Sequence, residues 1–551
     1  MITKNKSSVK TKNYAGLSPQ EYTTLVFFSI LYTIKKLPFI LYNGQINPDE
    51  SQMLTQAITL KFDPIFWRSV DGTTSGPINS YIILLLKYAG LPFNYLTLHA
   101  TATGLVIFSL FITYLTLRLF NTIKVSFLSI IIIYSFFFFT NHNDFNHYNS
   151  ELPSFFLITL AIYILAYTYH NKKIPIYLYI LFSIICCLIP FAKLQGGPLA
   201  ILYLLYEFFI ILKRKLNKTA AIVGLGSGMV IVGGSLLAYL FYNNIIYDFY
   251  IMYIKTNLNH YNVGDPFSLF IKLIFKSSYD YLFFLIYNII IWSTFPIVIS
   301  KKNYSYLIYK DNVFIFLSIN IVVSYIVVTR TGYTFEHYLF YTLFPITLLT
   351  SHMLSHIFEY RDIKKYTFPI VSIMMTGLFI GLVTVHILKY NRKNQNFKRF
   401  ELAQHEINVI KLINYYTKPT DCLVVWGWNL TYHTLTGLRQ GTRENHSIRC
   451  MTTNSLGAIH DPYLIEYYCH QYVNDIKRNR PAVFIDEVKM NSIFKDPNLV
   501  AHQTIPDLRN TIMTNYTLID QQAGVLVYVR KDILKIRGKL NLGLQKYGRN
   551  F

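Results

Sequence analysis

Residues 77–96 read PINSYIILLLKYAGLPFNYL, and the assignment of that stretch decides the architecture of the whole chain. Its apolar core is short, Lys87 interrupts it, and Gly90-Leu91-Pro92 follows. It is therefore expected to lie at, or dip into, a membrane interface rather than cross. About eleven other stretches approach the roughly 20 apolar residues that a crossing helix needs. They are 22–41, 98–118, 123–140, 152–170, 174–192, 194–213, 219–242, 279–299, 312–329, 338–357 and 366–388. With the N-terminus in the cytoplasm, Lys4, Lys6, Lys10 and Lys12 lie inside. Arg118 with Lys124, Lys172 with Lys173, and Lys213, Arg214, Lys215 and Lys218 join them. So do Lys301 with Lys302, and Arg361 with Lys364 and Lys365. Every strongly basic short connection then falls on one side. A twelfth span at 77–96 would invert each later loop and break that pattern. The loops 43–97, 141–151 and 243–278, and the chain from about 389 onward, are expected outside.

Composition agrees. Charged residues make up 14%, hydrophobic residues 52% and aromatics 17%, with a mean hydropathy of +0.32. Such a chain is not disordered, collagen-like or a disulfide scaffold. The net charge of +23 would suggest nucleic acid in a soluble protein. Here it reads mostly as a topology signal, and no nucleic-acid partner is expected. The first apolar run ends in KKLP without a small-residue cleavage site, so it is expected to stay as the first membrane helix. Cys422, Cys450 and Cys469 are an odd set whose spacing is not a zinc pattern.

Composition shifts after His386. HEINVIKLINYYT (405–417) and DPYLIEYYCHQYVNDIKRNRP (461–481) read as helices, the second stopped by Pro481. DCLVVWGW, AVFIDEV and GVLVYVRKD contain short apolar strands. The alternation predicts a small α/β layered domain over 389–551 behind a membrane domain over 1–388. It contains no glycine-rich phosphate loop.

The candidate chemistry lies where polar residues survive near the expected outer face. The first outer loop opens NGQINPDESQ, with Asp49 and Glu50 just beyond the first span and Asp63 and Asp71 later. NHNDFNHYNSELPSFF carries Asp144, His147 and Glu151 to the mouth of another span. A carboxylate heading a helix is stabilised by the helix dipole, so Ser150-Glu151 also reads simply as a helix start. Lys193 sits between two apolar stretches and costs free energy unless it meets water, an acid or an anion. Arg330, His337 and Tyr338 flank RTGYTFEHYLFYTLFP. Lys193 and Arg330 also read as cations snorkelling to headgroups. Taken together, carboxylates suit deprotonation of a hydroxyl or stabilisation of a cationic sugar-like transition state, and cations suit a lipid-linked phosphate.

On PDE at 48–50, SELPSFFLITLA at 150–161, EHYLFYTLFP at 336–345 and VWGWNLTYHTLTG at 425–437, the chain resembles the GT-C integral-membrane glycosyltransferases that use polyprenyl-phosphate sugars. The class includes protein O-mannosyltransferase-like, aminoarabinose-transferase-like and related bacterial enzymes, and the chain carries no clear signature for mannosyl transfer to protein or for lipid A modification. The resemblance implies a polytopic α-helical membrane protein of about 11 spans with an α/β outer domain. It implies transfer of a sugar from a polyprenyl-phosphate donor, usually with inversion. The acceptor is a lipid, glycan or protein of the cell envelope. It places the chain in the inner (plasma) membrane among membrane lipids. The first-loop acid of the class falls on Asp49, with Glu50 beside it and Glu151 as the second acidic position. Lys193, Arg330, His337 and Tyr338 become the candidates for donor phosphate. Some members need a divalent cation and others do not, so no cofactor is fixed. The oligosaccharyltransferase tryptophan–acid signature (WWD) is missing, which argues against transfer of a whole glycan to asparagine. A polysaccharide polymerase or ligase would cluster its acids in one large late loop. A transporter or flippase would show discontinuous helix pairs and internal repeats, which are not evident here. A non-enzymatic scaffold would need no cavity behind Asp49.

Overall fold

The computed structural model describes residues 16–213, 218–259, 266–280, 284, 287, 312–330, 335–359, 401–451, 461–489, 494 and 496–536. Most of the stretches at 279–299 and 366–388, the basic pairs at 301–302 and 361–365, and the expected boundary near 388 lie outside these residues.

The N-terminal part is a bundle of mostly apolar helices. In chain order they are α1 (Pro19–Ile40), α2 (Pro48–Leu60), α3 (Pro77–Tyr88), α4 (Tyr95–Phe120), α5 (Ile123–Phe139), α6 (Glu151–His170), α7 (Ile176–Ala192), α8 (Gly197–Lys213) and α9 (Lys218–Tyr242). Further helices run over Asn312–Thr329 and Phe340–Glu359. Among the described residues, 6 helices are long and apolar enough to cross a membrane, and Ile123–Phe139 and Ile176–Ala192 are shorter apolar ones. A bilayer core admits helices because they satisfy every backbone polar group internally. The chain is a multi-pass membrane protein.

α3 holds only 12 residues, about 18 Å of helix, well short of a bilayer core of about 30 Å. The chain turns at Gly90, where φ is +95°, and re-enters at the Asn94 cap of α4, whose side chain accepts from Thr97 N at 2.9 Å. The helix within 77–96 is therefore too short to cross by itself.

Helix direction sorts the connections. Glu21 at the start of α1 meets Arg118 at the end of α4 at 2.6 Å. That end of the bundle also carries Lys124, Lys172, Lys173, Lys213 and Lys218. The opposite end carries α2, α3, the 141–150 loop, Lys193 and Glu336–Leu339.

The C-terminal part is a five-stranded sheet in the order β2-β1-β3-β5-β4. The strands are β1 (Cys422–Trp426), β2 (Arg439–Gln440), β3 (Val483–Asp486), β4 (Tyr516–Gln522) and β5 (Val525–Arg530). β2, β1 and β3 are parallel, and β5 and β4 continue antiparallel through a hairpin. The Ala523-Gly524 turn has φ of +50° and +97°, the geometry that matches strand twist in two-residue hairpins. β1 and β3 are buried along their whole length, as parallel strands covered on both faces must be. Helices Gln404–Tyr416 and Pro462–Asn479 flank the sheet. Arg480, in the left-handed region (φ 46°), ends the second one before Pro481.

The sheet seats against the same end of the bundle that carries α2. Thr59 Oγ1 accepts from Gln440 N at 3.0 Å, and Gln52 O accepts from Asn445 Nδ2 at 3.1 Å. This explains why α2 is buried from Glu50 to Leu60 although it is rich in Gln, Ser and Thr. Much of its polar face is spent on hydrogen bonds to backbone, amide and hydroxyl groups.

Candidate active site

Asn47 opens α2, accepting from Asp49 N at 3.1 Å, and Pro48 occupies the first helical position. Asp49 and Glu50 then occupy the first turn, where the helix dipole favours anions. Successive helix positions point about 100° apart, and the two acids diverge accordingly. Glu50 is fully buried. Its carboxylate accepts from Ile46 N at 2.7 Å and Tyr148 N at 3.2 Å, and His99 Nε2 lies 2.9 Å away. It staples α2, the 141–150 loop and α4 together. Asp49 is half-buried and belongs to the polar rim.

The 141–150 loop supplies the next group. Asp144 accepts from His337 N at 3.3 Å and pairs with His337 Nδ1 at 2.9 Å, while Asn47 Nδ2 donates to its other oxygen at 3.3 Å. Burial opposes charge on Asp144, but His337 together with His147 and His142 holds its carboxyl well below the usual range. Burial pulls the His337 imidazole down, and Glu151, Asp144 and Asp49 outweigh it, so its pKa ends above the ordinary value. His147 stands edge-on to His337, ring centroids 6.3 Å apart.

Glu151 begins α6, fully buried. The cap is made by Asn149, whose Oδ1 accepts from Leu152 N at 3.0 Å. Ser150 instead donates to Glu151 at 3.1 Å and accepts from Lys193. Lys193 Nζ lies 2.9 Å from Glu151, 2.8 Å from Ser150 Oγ and 3.1 Å from Thr74 Oγ1. An ammonium has three N–H donors, and three protein oxygens surround this one. Lys193 also sits 5.7 Å from the Tyr338 ring centroid.

Lys193 is held in place by the first loop. It bridges Ser75 in an antiparallel pair, and Gly76 N donates to Ala192 O at 2.9 Å. Gly76 is required by this approach: a Cβ there would run into Phe191 O. Asn79 Nδ2 adds a bond to Ala192 O at 2.6 Å.

Asp49, Asp144, His337, Glu151, Lys193 and Tyr338 thus converge at one end of the bundle. Arg330 ends Asn312–Thr329 exposed, with no side-chain hydrogen bond or ion pair to the described residues. Asp63 pairs with Arg68, away from the cluster. Asp71 pairs with Arg449 of the C-terminal part at 2.7 Å. Sequence reasoning missed His99, Thr74 and Ser150 as partners of the acids and the lysine. Only the cost of burying an unpaired charge signalled that such partners must exist. Among the described residues, no group of three or more His, Cys, Asp and Glu side chains is arranged to hold a metal ion.

No protein-family model matches the sequence, and no curated protein matches it at the sequence level. Solved structures do match in shape. ArnT from Cupriavidus metallidurans in the apo state superposes with a TM-score of 0.55 at 8% identity, over 92% of this chain and 98% of that one. The same protein bound to undecaprenyl phosphate gives 0.55 at 9% identity, over 93% and 98%. An Archaeoglobus fulgidus oligosaccharyltransferase solved with Zn and sulfate overlays more loosely, with a TM-score of 0.41 at 10% identity over 85% and 68%. At such identity the ArnT likeness speaks to fold, and it runs the length of both chains. The chain adopts the GT-C fold: a polytopic helical membrane protein whose C-terminal α/β sheet sits over the end of the bundle that carries Asp49.

Proposed function

We propose that this chain is a glycosyltransferase that moves a sugar from a polyprenyl-phosphate donor to a cell-envelope acceptor on the outer face of the membrane. The observation that carries the reading is the one-ended cluster of Asp49, Asp144–His337 and Glu151–Lys193 in a fold shared with ArnT, which has been solved with undecaprenyl phosphate. The boundary between a membrane domain over 1–388 and an outer domain over 389–551 belongs to the same reading.

Of the three acids, Asp49 is half-buried and its carboxylate has no hydrogen bond or ion pair to the described residues, whereas Asp144 and Glu151 are each paired, so Asp49 takes the catalytic role. Its carboxylate accepts the proton of the acceptor hydroxyl as that oxygen bonds to the anomeric carbon. The bond from that carbon to the phosphate oxygen breaks with its electron pair, and polyprenyl phosphate leaves. Direct attack inverts the centre. The His337 ring and the exposed Arg330 guanidinium stabilise charge on the departing phosphate. Tyr338 walls the same side. Glu50 and Glu151, both buried and bonded, hold α2 and α6 in register instead of touching substrate. Lys193 holds Glu151.

The test uses purified protein with polyprenyl-phosphate sugars in proteoliposomes. Asp49→Asn should abolish transfer while still binding the lipid phosphate. Arg330→Gln and His337→Gln should raise the donor KM more than the acceptor KM. Full transfer by D49N, or equal donor saturation in the cation variants and parent, overturns the assignment.

A further inference from the structure

The C-terminal sheet has its own candidate site. From β1 the chain runs first to β2 on one side and then to β3 on the other. Such a reversal opens a crevice at the carboxyl ends of the diverging parallel strands, the position where open α/β sheets take ligands. Those ends carry Gly427-Trp428-Asn429 after β1, residues 441–447 after β2, and Glu487 after β3.

The strand ends are tied together through their backbones. Glu487 accepts from Trp428 N at 2.7 Å and Asn429 N at 2.6 Å, and Ser447 Oγ accepts from Gly427 N at 2.9 Å. Gly427 needs its φ of +132°, and a Cβ there would run into Glu487.

Unpartnered polar atoms collect at the same place. Neither carboxylate oxygen of Glu444 accepts a hydrogen bond, although the residue is 4% exposed. His446 Nδ1 is 3.1 Å from it without hydrogen-bond geometry, and Arg449 Nε is 4.0 Å away. The Trp428 indole N–H and Asn445 Oδ1 are buried without partners, and Trp428 and His446 have ring centroids 5.5 Å apart. Thr55 Oγ1 of α2, also without a partner, lies between Gln52 and Thr59, which bond Asn445 and Gln440. A native fold leaves few buried polar groups unsatisfied, and several in one crevice point to a ligand. Gln52 follows Asp49 by one turn of the same helix.

We infer that the crevice between Trp428, Glu444, Asn445 and His446 is a second binding site, for the hydroxyl-rich sugar portion of the acceptor. This rests on the transferase reading for the word acceptor, but not for the sugar. The unpartnered groups are mostly acceptors of hydrogen bonds, which calls for a ligand with several O–H donors. Glu444 and Asp71 disfavour a phosphate, and Arg449 and Arg443 disfavour a cation. An indole beside a carboxylate suits a pyranose, whose C–H face packs on the ring while its hydroxyls bond the acid.

The experiment titrates the purified full-length protein with neutral disaccharides built from glucose, galactose, mannose and N-acetylglucosamine. Tryptophan fluorescence is the readout for parent, E444Q and D49N, and calorimetry the readout for W428F. At least one sugar should bind saturably. E444Q and W428F should each weaken it tenfold or more with unchanged thermal stability, while D49N binds normally. Loss of transfer in D49N tests the enzyme reading separately. No saturable binding by any of these sugars, binding untouched by both crevice variants, or an equal response to inorganic phosphate overturns the inference.

Discussion

Removing the ammonium of Lys193 should destabilise the protein strongly, and through Glu151 in particular. The two groups are 2.9 Å apart with side chains 5% and 1% exposed, so solvent screens them little. At an effective dielectric constant of about 20 their attraction is on the order of 6 kcal/mol, before desolvation is subtracted. Breaking a buried pair by deleting one partner costs about 3–5 kcal/mol, because the survivor stays charged and buried. Lys193→Met and Glu151→Gln should each lose about that much, and the double variant should recover about 1–3 kcal/mol relative to the sum. Reversible unfolding in mixed micelles, followed by circular dichroism, gives all four corners of the cycle. Losses that add to within about 0.5 kcal/mol would refute the pairing as a stabilising contact.

The Asp144–His337 pair should make stability depend on pH, with a sign that follows from the two shifts. His337, with its pKa raised, contributes stability that is complete below about 6.5 and is lost as pH rises through its folded value. Asp144, with its pKa lowered, contributes stability present above about 3.9 and lost as pH falls through its folded value. Asp144→Asn should therefore move the alkaline decline of thermal stability to lower pH; an unchanged Tm-against-pH profile counts against the pair. Gly76→Ala forces a Cβ against Phe191 O and should cost about 1–3 kcal/mol, read as a lower Tm; an unchanged Tm would mean the first loop does not pin Lys193. Arg449 is buried between Asp71 and Tyr468, at 2.7 and 2.6 Å. Arg449→Met should loosen the C-terminal part and speed its release by limited proteolysis, and an unaltered digestion pattern would contradict that role.

The parts of the fold legible in the sequence are those where one physical rule dominates. Long apolar runs marked α1, α4, α6, α8 and α9, and Lys87 with Gly90-Leu91-Pro92 marked the short α3. Buried β-branched runs marked β1, β3 and β5. The two-residue β2 and the edge strand β4 escaped, because an exposed edge strand such as TLIDQQ carries no apolar alternation. The rim acids were legible as survivors in an apolar chain. Their division of labour was not: Asp49 and Glu50 are neighbours in sequence, and only helix rotation sends one to the rim and buries the other against His99. Lys193 was legible as a charge in need of a partner, yet a partner 42 positions away cannot be read from spacing. Arg330 remains outside the bonded cluster, so its role rests on the transferase proposal alone.

The most direct measurement is mass spectrometry of envelope lipids and glycans from cells carrying the parent chain, the D49N chain at equal membrane abundance, or neither. The proposal expects one sugar modification present with the parent and missing in both other strains, with donor lipid accumulating. A D49N strain whose envelope matches the parent would contradict Asp49 as the base, and identical envelopes in all three would contradict the transferase itself.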